Sequence, residues 1–456
     1  MAGAYAYRTM DLSSDSGYTS RFVFSAWVKR SKLSYANAPL FSLHKNNSNT
    51  ASKINFNFNA SDQLSFTMQD SGGSEDSEYQ TNRKFRDTNS WYHIYLAFNS
   101  TLSTSADRLQ IYVNGVRETS FSSANEVGST FGALMTSAMD FRIGTMKNNS
   151  GTAYYFDGLM NSAIFTNYQS GTVDPVTDFG EVDSTTGEWK IKLTPAVTYA
   201  TQGVFVLKNG NSLTDQSGQS NNMTVGGTLT ATKDCPDNIM ATLNPLSGST
   251  SNNTLSNGNN TIAVTSGWRW RPSTIAPSSG KYYAEFKPTS SGNIYTAIGV
   301  TPQVSWKDID GETIGSGAGG ENKSVAYTHS GTVIKGNSTQ YSGSSYAPND
   351  IIGVALDLDN HKVYFSKNGT YQNSGNPASG ATGTGAVSLD ATLDDWSISI
   401  SCAGTTVSAN YGNGFFGTTA ITTNSGNGYA GAEGASKFSY QPPSGYSALN
   451  TKGLNT

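Results

Sequence analysis

The sequence predicts an all-β protein made of two antiparallel β-sandwiches, and three observations carry that expectation. Glycine accounts for 48 of 456 residues and charged residues for only 14%, against roughly 25% charged in an average soluble domain. Ser, Thr and Asn do the solvating usually left to Lys and Glu, and helix surfaces want Ala, Leu, Glu and Lys instead. Apolar residues recur at every second position in short runs closed by turn residues, the period of a strand with one buried face.

Composition excludes several classes. Hydrophobic residues at 36%, with 24 Tyr, 20 Phe and 7 Trp, suffice for packed cores, so the chain is not a disordered tract. There is no glycine at every third position, which excludes collagen. No apolar run approaches the ~18–20 residues that cross a bilayer. Met1–Leu12 lacks a basic start followed by an apolar stretch, so the expectation is a soluble chain made in a cytoplasm without a leader. A net charge of −4 provides no basic footprint for nucleic acid. Cys235 and Cys402 are too few for a disulfide framework, and with His44, His93, His329 and His361 they show no zinc-ligand spacing, so they read as free thiols.

In the first half, Arg21–Arg30 puts Phe22, Phe24, Ala26 and Val28 on one face, and Lys53–Phe58 does the same with Ile54, Phe56 and Phe58. Trp91–Phe98 is nearly all apolar, as in a strand covered on both sides. Arg108–Thr119 alternates into Asn114-Gly115, residues that tolerate the positive φ of a type I′ hairpin turn. Gly203–Leu207 reads as a further strand. A second series follows from near residue 260: Tyr282–Phe286, Thr296–Val300, Ile351–Leu358, Lys362–Phe365, Trp396–Ser401 and Val407–Tyr411. It repeats the hairpin signal at Asn368-Gly369. The two series imply domains over 1–233 and 234–456, joined by turn-rich sequence near 233–246.

Five motifs of the first half resemble the laminin-G-like branch of the concanavalin A-like jelly rolls: Phe24–Arg30, Ser90–Ile94, Leu109–Gly115, Phe141–Gly144 and Tyr155–Phe165. The second half resembles a SPRY domain through Gly280–Phe286, Ala297–Val300, Asp350–Asn360 and Lys362–Gly369. The joining segments Thr177–Glu181, Asp215–Asn222, Asp234–Asn238 and Ala241–Leu246, with the closing Pro443–Thr451, resemble a recurring arrangement in proteins of tailed bacteriophages, in which Ser usually stands where this chain has Cys235. The resemblance covers about residues 20–451. It implies a virion-surface protein, made in the host cytoplasm, whose partners are other virion proteins and a host surface glycan or receptor. Appendages of this class are commonly trimeric, so a homotrimer is the assembly it implies.

Glycan hydrolases occur on concanavalin A-like sandwiches and need two carboxylates flanking the scissile bond. Glu181 with Asp183 falls in the connector, and Asp357 with Asp359 runs into the turn at Asn360, so both pairs read as solvated or turn-capping acids and no enzyme is expected. Asp308-Ile309-Asp310-Gly311-Glu312 begins like a calcium loop but has Thr313 and Gly319 where an EF-hand needs Gly and Glu. The expectation is a structural turn and no cofactor, with a looser calcium site as the alternative.

Trp27, Trp91 and Trp396 stand in apolar strand patterns and are assigned to cores. Trp268 and Trp270 alternate with Arg269 and Arg271, which predicts a packed aromatic face and an exposed arginine row. Trp306 and Asp308 lie in loop-like sequence, and Tyr327, Tyr341 and Tyr346 flank Gly-rich stretches. These five are the candidate ligand contacts, because an aromatic on a loop can stack on a sugar or anchor a protein. The leading expectation is glycan or receptor binding by a tail fibre or other appendage. The alternative is a structural accessory that decorates the capsid or joins tail components.

Overall fold

The computed structural model describes residues 3–11, 20–45, 52–69, 75–128, 138–148, 151–167, 177–208, 212–248, 250–290, 294–308, 314–315, 323–422 and 428–455. It is nearly all-β and divides into two compact units, Met1–Ala231 and Thr232–Thr456.

The first unit is a sandwich. Its eight-stranded sheet runs Phe121–Asn125, Glu75–Lys84, Gln63–Gln69, Lys53–Asn59, Asn37–His44, Ala138–Ile143, Tyr5–Asp11 and Thr224–Gly226. The six-stranded sheet facing it runs Val204–Val206, Gly158–Asn167, Arg21–Arg30, Tyr92–Asn99, Leu109–Val113 and Val116–Arg117. The alternation read in Arg21–Arg30 holds: Phe22, Phe24, Ala26 and Val28 enter the core between the sheets. Phe41 meets them from the other sheet, with its ring centroid 4.5 Å from Phe24 and 6.2 Å from Phe165. The Asn-Gly turn closes as expected, with Asn114 and Gly115 at φ +50° and +76° between the paired residues Val113 and Val116.

The second unit pairs a nine-stranded sheet with a six-stranded one. The larger sheet runs Asn253–Ser256, Thr261–Val264, Thr406–Asn410, Lys281–Pro288, Ile352–Asp357, Lys362–Lys367 and Thr370–Tyr371, with Val387–Ser388 and Ser447–Ala448 attached to the Lys362–Lys367 and Lys281–Pro288 strands. The smaller runs Arg269–Arg271, Trp396–Ala403, Tyr295–Pro302, Val325–Thr328, Thr332–Lys335 and Ser338–Ser342. Ile298, Val300, Ile398 and Ile400 meet Phe286, Val354, Leu356 and Phe365 across the interior. Asn368 and Gly369 repeat the left-handed turn, at φ +49° and +80°.

The joining motifs of this unit meet as one clasp. Met240 bridges Asn450, the Ala241 N–H donates to the Leu449 carbonyl at 2.9 Å, and the Thr451 N–H donates to the Ile239 carbonyl at 3.0 Å. Asp234–Asn238 with Ala241–Leu246 on one side, and Pro443–Thr451 far along the chain on the other, are thus the two halves of a single structure. Cys235 and Cys402 are both free. The half-buried Cys235 thiol donates to Asp237 Oδ1 at 2.9 Å, and burial pushes both thiols up to about 12.

Candidate binding surfaces

The outer face of the six-stranded sheet of the first unit carries Val23, Ser25, Trp27, His93 and Tyr95. It is sealed by the segment that follows, residues 177–199, whose Phe179, Val197 and Tyr199 pack onto Val23, Tyr95, Ile164 and Phe205. A hairpin of Gly180–Val182 and Trp189–Ile191 lays Trp189 on His93, with ring centroids 5.9 Å apart and nearly parallel. Trp27 also stacks on His93, at 5.1 Å. Trp27 is buried as predicted, but stacked on His93 rather than in the central core.

His93 lies 2.9 Å from the Ser25 hydroxyl, a pair that invites a nucleophile reading. The hydrogen bonds exclude it. An indole N–H only donates, and Trp189 Nε1 donates to His93 Nδ1 at 3.1 Å. The neutral ring then carries its proton on Nε2 and donates to Ser25 Oγ, the reverse of what activating the serine requires. Burial keeps the ring neutral by pushing its pKa down to about 3.

Room for Trp189 depends on glycine. At Gly115 a Cβ would stand 2.6 Å from the indole, on a backbone already at φ +76°. Gly115→Ala is expected to cost about 1–3 kcal/mol, from overpacking and left-handed strain. A thermal melt and the Trp fluorescence would check this, and an unchanged melting temperature would contradict the packing described.

The two acid pairs divide as turn residues. Asp183 accepts the N–H groups of Thr185 and Thr186 at 2.7 and 2.9 Å and pairs with Lys190, which holds its carboxyl below the usual range. Its neighbour Glu181 is exposed. Asp357 is buried on Lys281 at 3.4 Å and accepts the Asn360 N–H, while Asp359 accepts the Gly280 N–H at 2.7 Å. Among the described residues no group of three or more His, Cys, Asp or Glu could hold a metal ion.

In the second unit the predicted ligand contacts do not form one exposed site. Tyr327 and Tyr346 are core residues, with ring centroids 5.1 Å apart beneath the six-stranded sheet. The Tyr346 hydroxyl donates to the Tyr327 carbonyl at 3.1 Å, and the Tyr327 hydroxyl donates to the Ser344 carbonyl. Tyr341 is half-buried against the same core, opposite Val333 in the register. All three phenols are pushed upward by burial. Trp306 sits in a 3-10 helix, Gln303–Asp308, and packs edge-on against Trp270 at 5.9 Å on the outer side of the sheet, rather than standing on a free loop. The side chain of Asp308 and the positions Ile309–Thr313 and Gly319 lie outside the described residues. The arginine row also departs from expectation. Arg271 is buried because its guanidinium donates to the Ser247 and Trp270 carbonyls at 2.6 and 2.9 Å and to Asn253 Oδ1 at 2.8 Å.

What the structure does expose is a ledge beside these residues. Tyr295, 47% exposed, meets His329 edge-on at 5.4 Å. The register aligns Ala297 with Thr328 and Thr332 with Ser342 across the adjoining strands. Thr328 Oγ1 donates to the Thr332 carbonyl at 2.9 Å and shares a hydrogen bond with Ser330 Oγ at 3.0 Å. Ser330, Ser342 and Ser344 are exposed. The sequence signal for this ledge is Val325 and Tyr327 alternating into Ser330-Gly331 and out again through Val333, which marks a hairpin.

Residues 3–169 match the family model described as the concanavalin A-like lectin/glucanases superfamily, and residues 281–387 match the SPRY domain model. No curated protein matches the chain. Among solved structures, similar chains include the SPRY domain of human HERC1 (19% identity, 34% of this chain and 91% of that one, TM-score 0.27). The TRIM65 PSpry domain matches at 14% identity over 37% of this chain and 91% of that one, with a TM-score of 0.27. A heptameric SAP-like pentraxin from Limulus polyphemus matches at 10% identity over 38% of this chain and 72% of that one, with a TM-score of 0.26.

Proposed function

For a chain that carries a concanavalin A-like domain followed by a SPRY domain, we propose a binding role: recognition of a host surface glycan or receptor by a bacteriophage virion-surface protein, with no catalytic step. The observation that carries the binding reading is the Tyr295–His329 ledge, an exposed aromatic bordered by uncharged hydroxyls. Aromatic faces stack on sugar rings, and Ser and Thr hydroxyls pair with sugar hydroxyls without the desolvation cost of fixed charge. The virion part of the proposal rests on the resemblance of the joining segments to phage proteins; of these segments Asp234–Asn238, Ala241–Leu246 and Pro443–Thr451 lie together in the clasp. A structural accessory role is favoured by a different observation: the edge strands Ser338–Ser342 and Phe121–Asn125 carry neither Lys nor Pro, the residues that usually blunt an edge against strand addition.

A glycan array with the full chain, and competition by the soluble protein against phage adsorption, test the proposal. Tyr295→Ala is expected to weaken binding by about tenfold or more, the scale of a truncated aromatic anchor. Its melting temperature should be unchanged. Binding should also survive high salt, because few charges take part. Absence of any glycan binding together with absence of competition would overturn the reading.

A further inference from the structure

The outer face of the nine-stranded sheet in the second unit is covered by the chain's own C-terminal segment. Tyr282, Ala284 and Phe286 enter the central core, so Tyr283 and Glu285 face the other way. There Tyr283, Ala355 and Tyr364 meet Phe438, Tyr446 and Ala448, with the Tyr283 and Phe438 rings edge-on at 5.0 Å. Glu285 lies at the centre of this contact, fully buried.

Four donors converge on its carboxyl group. The Ser439 N–H donates to Oε2 at 2.9 Å, the Tyr440 N–H to Oε1 at 2.8 Å, Asn410 Nδ2 to Oε2 at 3.3 Å and the Tyr283 hydroxyl to Oε1 at 3.3 Å. Two of the four are backbone amides of the covering segment. Asn410 holds the same segment a second time by donating to the Lys437 carbonyl at 3.0 Å.

Among the described residues Glu285 has no ion-pair partner, and the charged groups around it are engaged elsewhere. Asp357, from the neighbouring strand, pairs with Lys281. Asp350 pairs with Lys367 at 3.1 Å, and Glu433 of the covering segment accepts the Ala448 N–H at 2.9 Å. The Lys437 side chain runs past Gly414 and Gly428. The other titratable groups that face it are phenols: Tyr283 on its own strand, Tyr364 and Tyr371 on the strands beyond, and Tyr440 and Tyr446 on the covering segment.

We propose that Glu285 is a proton-dependent latch: it clasps the Ser439–Tyr440 segment to the sheet while its carboxyl is neutral, and the segment opens with release of that proton. A neutral carboxyl still accepts both amides and can pass its own hydrogen to the Tyr283 oxygen, so every group stays satisfied. An ionised one leaves a full charge fully buried, with no ion-pair partner among the described residues, the costly case.

Burial outweighs the four hydrogen bonds and pushes the carboxyl from its ordinary 4.5 up to about 7. The sign follows from a folded value that is raised. The latch's contribution is complete below the ordinary value and declines as pH rises towards the folded one.

Hydrogen exchange of the full chain, followed at the amides of Ser439 and Tyr440 and corrected for intrinsic rates, tests the latch. Protection should fall as pH rises from about 5 to about 7, by up to about tenfold per unit, and then level off. Amides of the Trp396–Ala403 strand, which packs in the core away from Glu285, should not follow this course. Glu285→Gln removes the titration and gives up one acceptor, so protection should start lower and show no pH slope. A flat profile in the unmodified chain overturns the proposal whether or not the variant folds, and so does a slope that persists in Glu285→Gln.

Discussion

Asp62→Ala is expected to lower the unfolding free energy of the first unit by about 3–5 kcal/mol, the cost of leaving one partner of a buried ion pair alone. Arg30 and Asp62 are each 1% exposed and lie 3.0 Å apart. The carboxylate also accepts the Ser34 N–H at 2.7 Å and pairs with Arg86 at 3.0 Å. It therefore fixes the loop after Arg30 to the turn that precedes Gln63–Gln69. Arg86 is 57% exposed, so its share of the loss is small. Truncation would leave the Arg30 guanidinium buried on the Phe85 and Lys32 carbonyls and over the Phe58 ring, with no ion-pair partner among the described residues. Asp62→Asn keeps a residue that tolerates the backbone at φ +64° and isolates the charge. Burial alone would raise the Asp62 carboxyl, but the Ser34 N–H and the two arginines outweigh it and hold it below its ordinary 3.8. A depressed value means that the stabilisation is present above about pH 4 and lost as pH falls below it. Calorimetry of the full chain from neutral pH into acid would show this, with Asp62→Asn less sensitive than the unmodified chain. A loss under about 1 kcal/mol in Asp62→Ala would mean that the pair behaves like a surface bridge.

Tyr327→Ala should cost about 3–5 kcal/mol in the second unit, the range for truncating a buried aromatic. The ring is fully buried and lies within 5.1 Å of Tyr346 and 5.8 Å of Phe365. Losing it opens a void and removes the hydroxyl that donates to the Ser344 carbonyl. Tyr295→Ala, on the same sheet but 47% exposed, should do the opposite: little change in melting and a large change in binding. Paired melting and binding curves for the two variants separate a packing role from a recognition role. If Tyr327→Ala kept its stability while losing ligand, the core placement of Tyr327 would be wrong.

The strands that sequence reading recovers are the ones whose alternation is apolar, such as Arg21–Arg30 and Lys362–Lys367, because the period-2 signal there comes from Phe, Val and Tyr. Glu75–Lys84 and Ser338–Ser342 escape it, since their residues are almost all polar and only the ladder with a neighbour makes them strands. The same compositional habit misdirects the site. Tyr327 and Tyr346 flank Gly- and Ser-rich sequence that looks like loop, yet the strand before Gly331 turns the Tyr327 ring inward, and the segment after Ser338–Ser342, tied to His329 by the Tyr346 N–H, brings the Tyr346 ring against it. Arg271 reads as exposed by alternation and is buried because the Ser247 carbonyl and the Asn253 side chain, from an earlier segment, receive it beside the Trp270 carbonyl. His93 carries no local signal at all, because its environment is made by Trp189, which lies 96 positions away.

The clasp of the second unit bears on how that unit could be joined to another chain. Its strands enter through Ile239–Ala241 and leave through Leu449–Thr451, side by side. A segment whose two ends leave at neighbouring points can be spliced into a surface loop of another protein while barely stretching the host backbone. The second unit has the geometry of a cassette, transferable as one piece, provided both halves of the clasp move together.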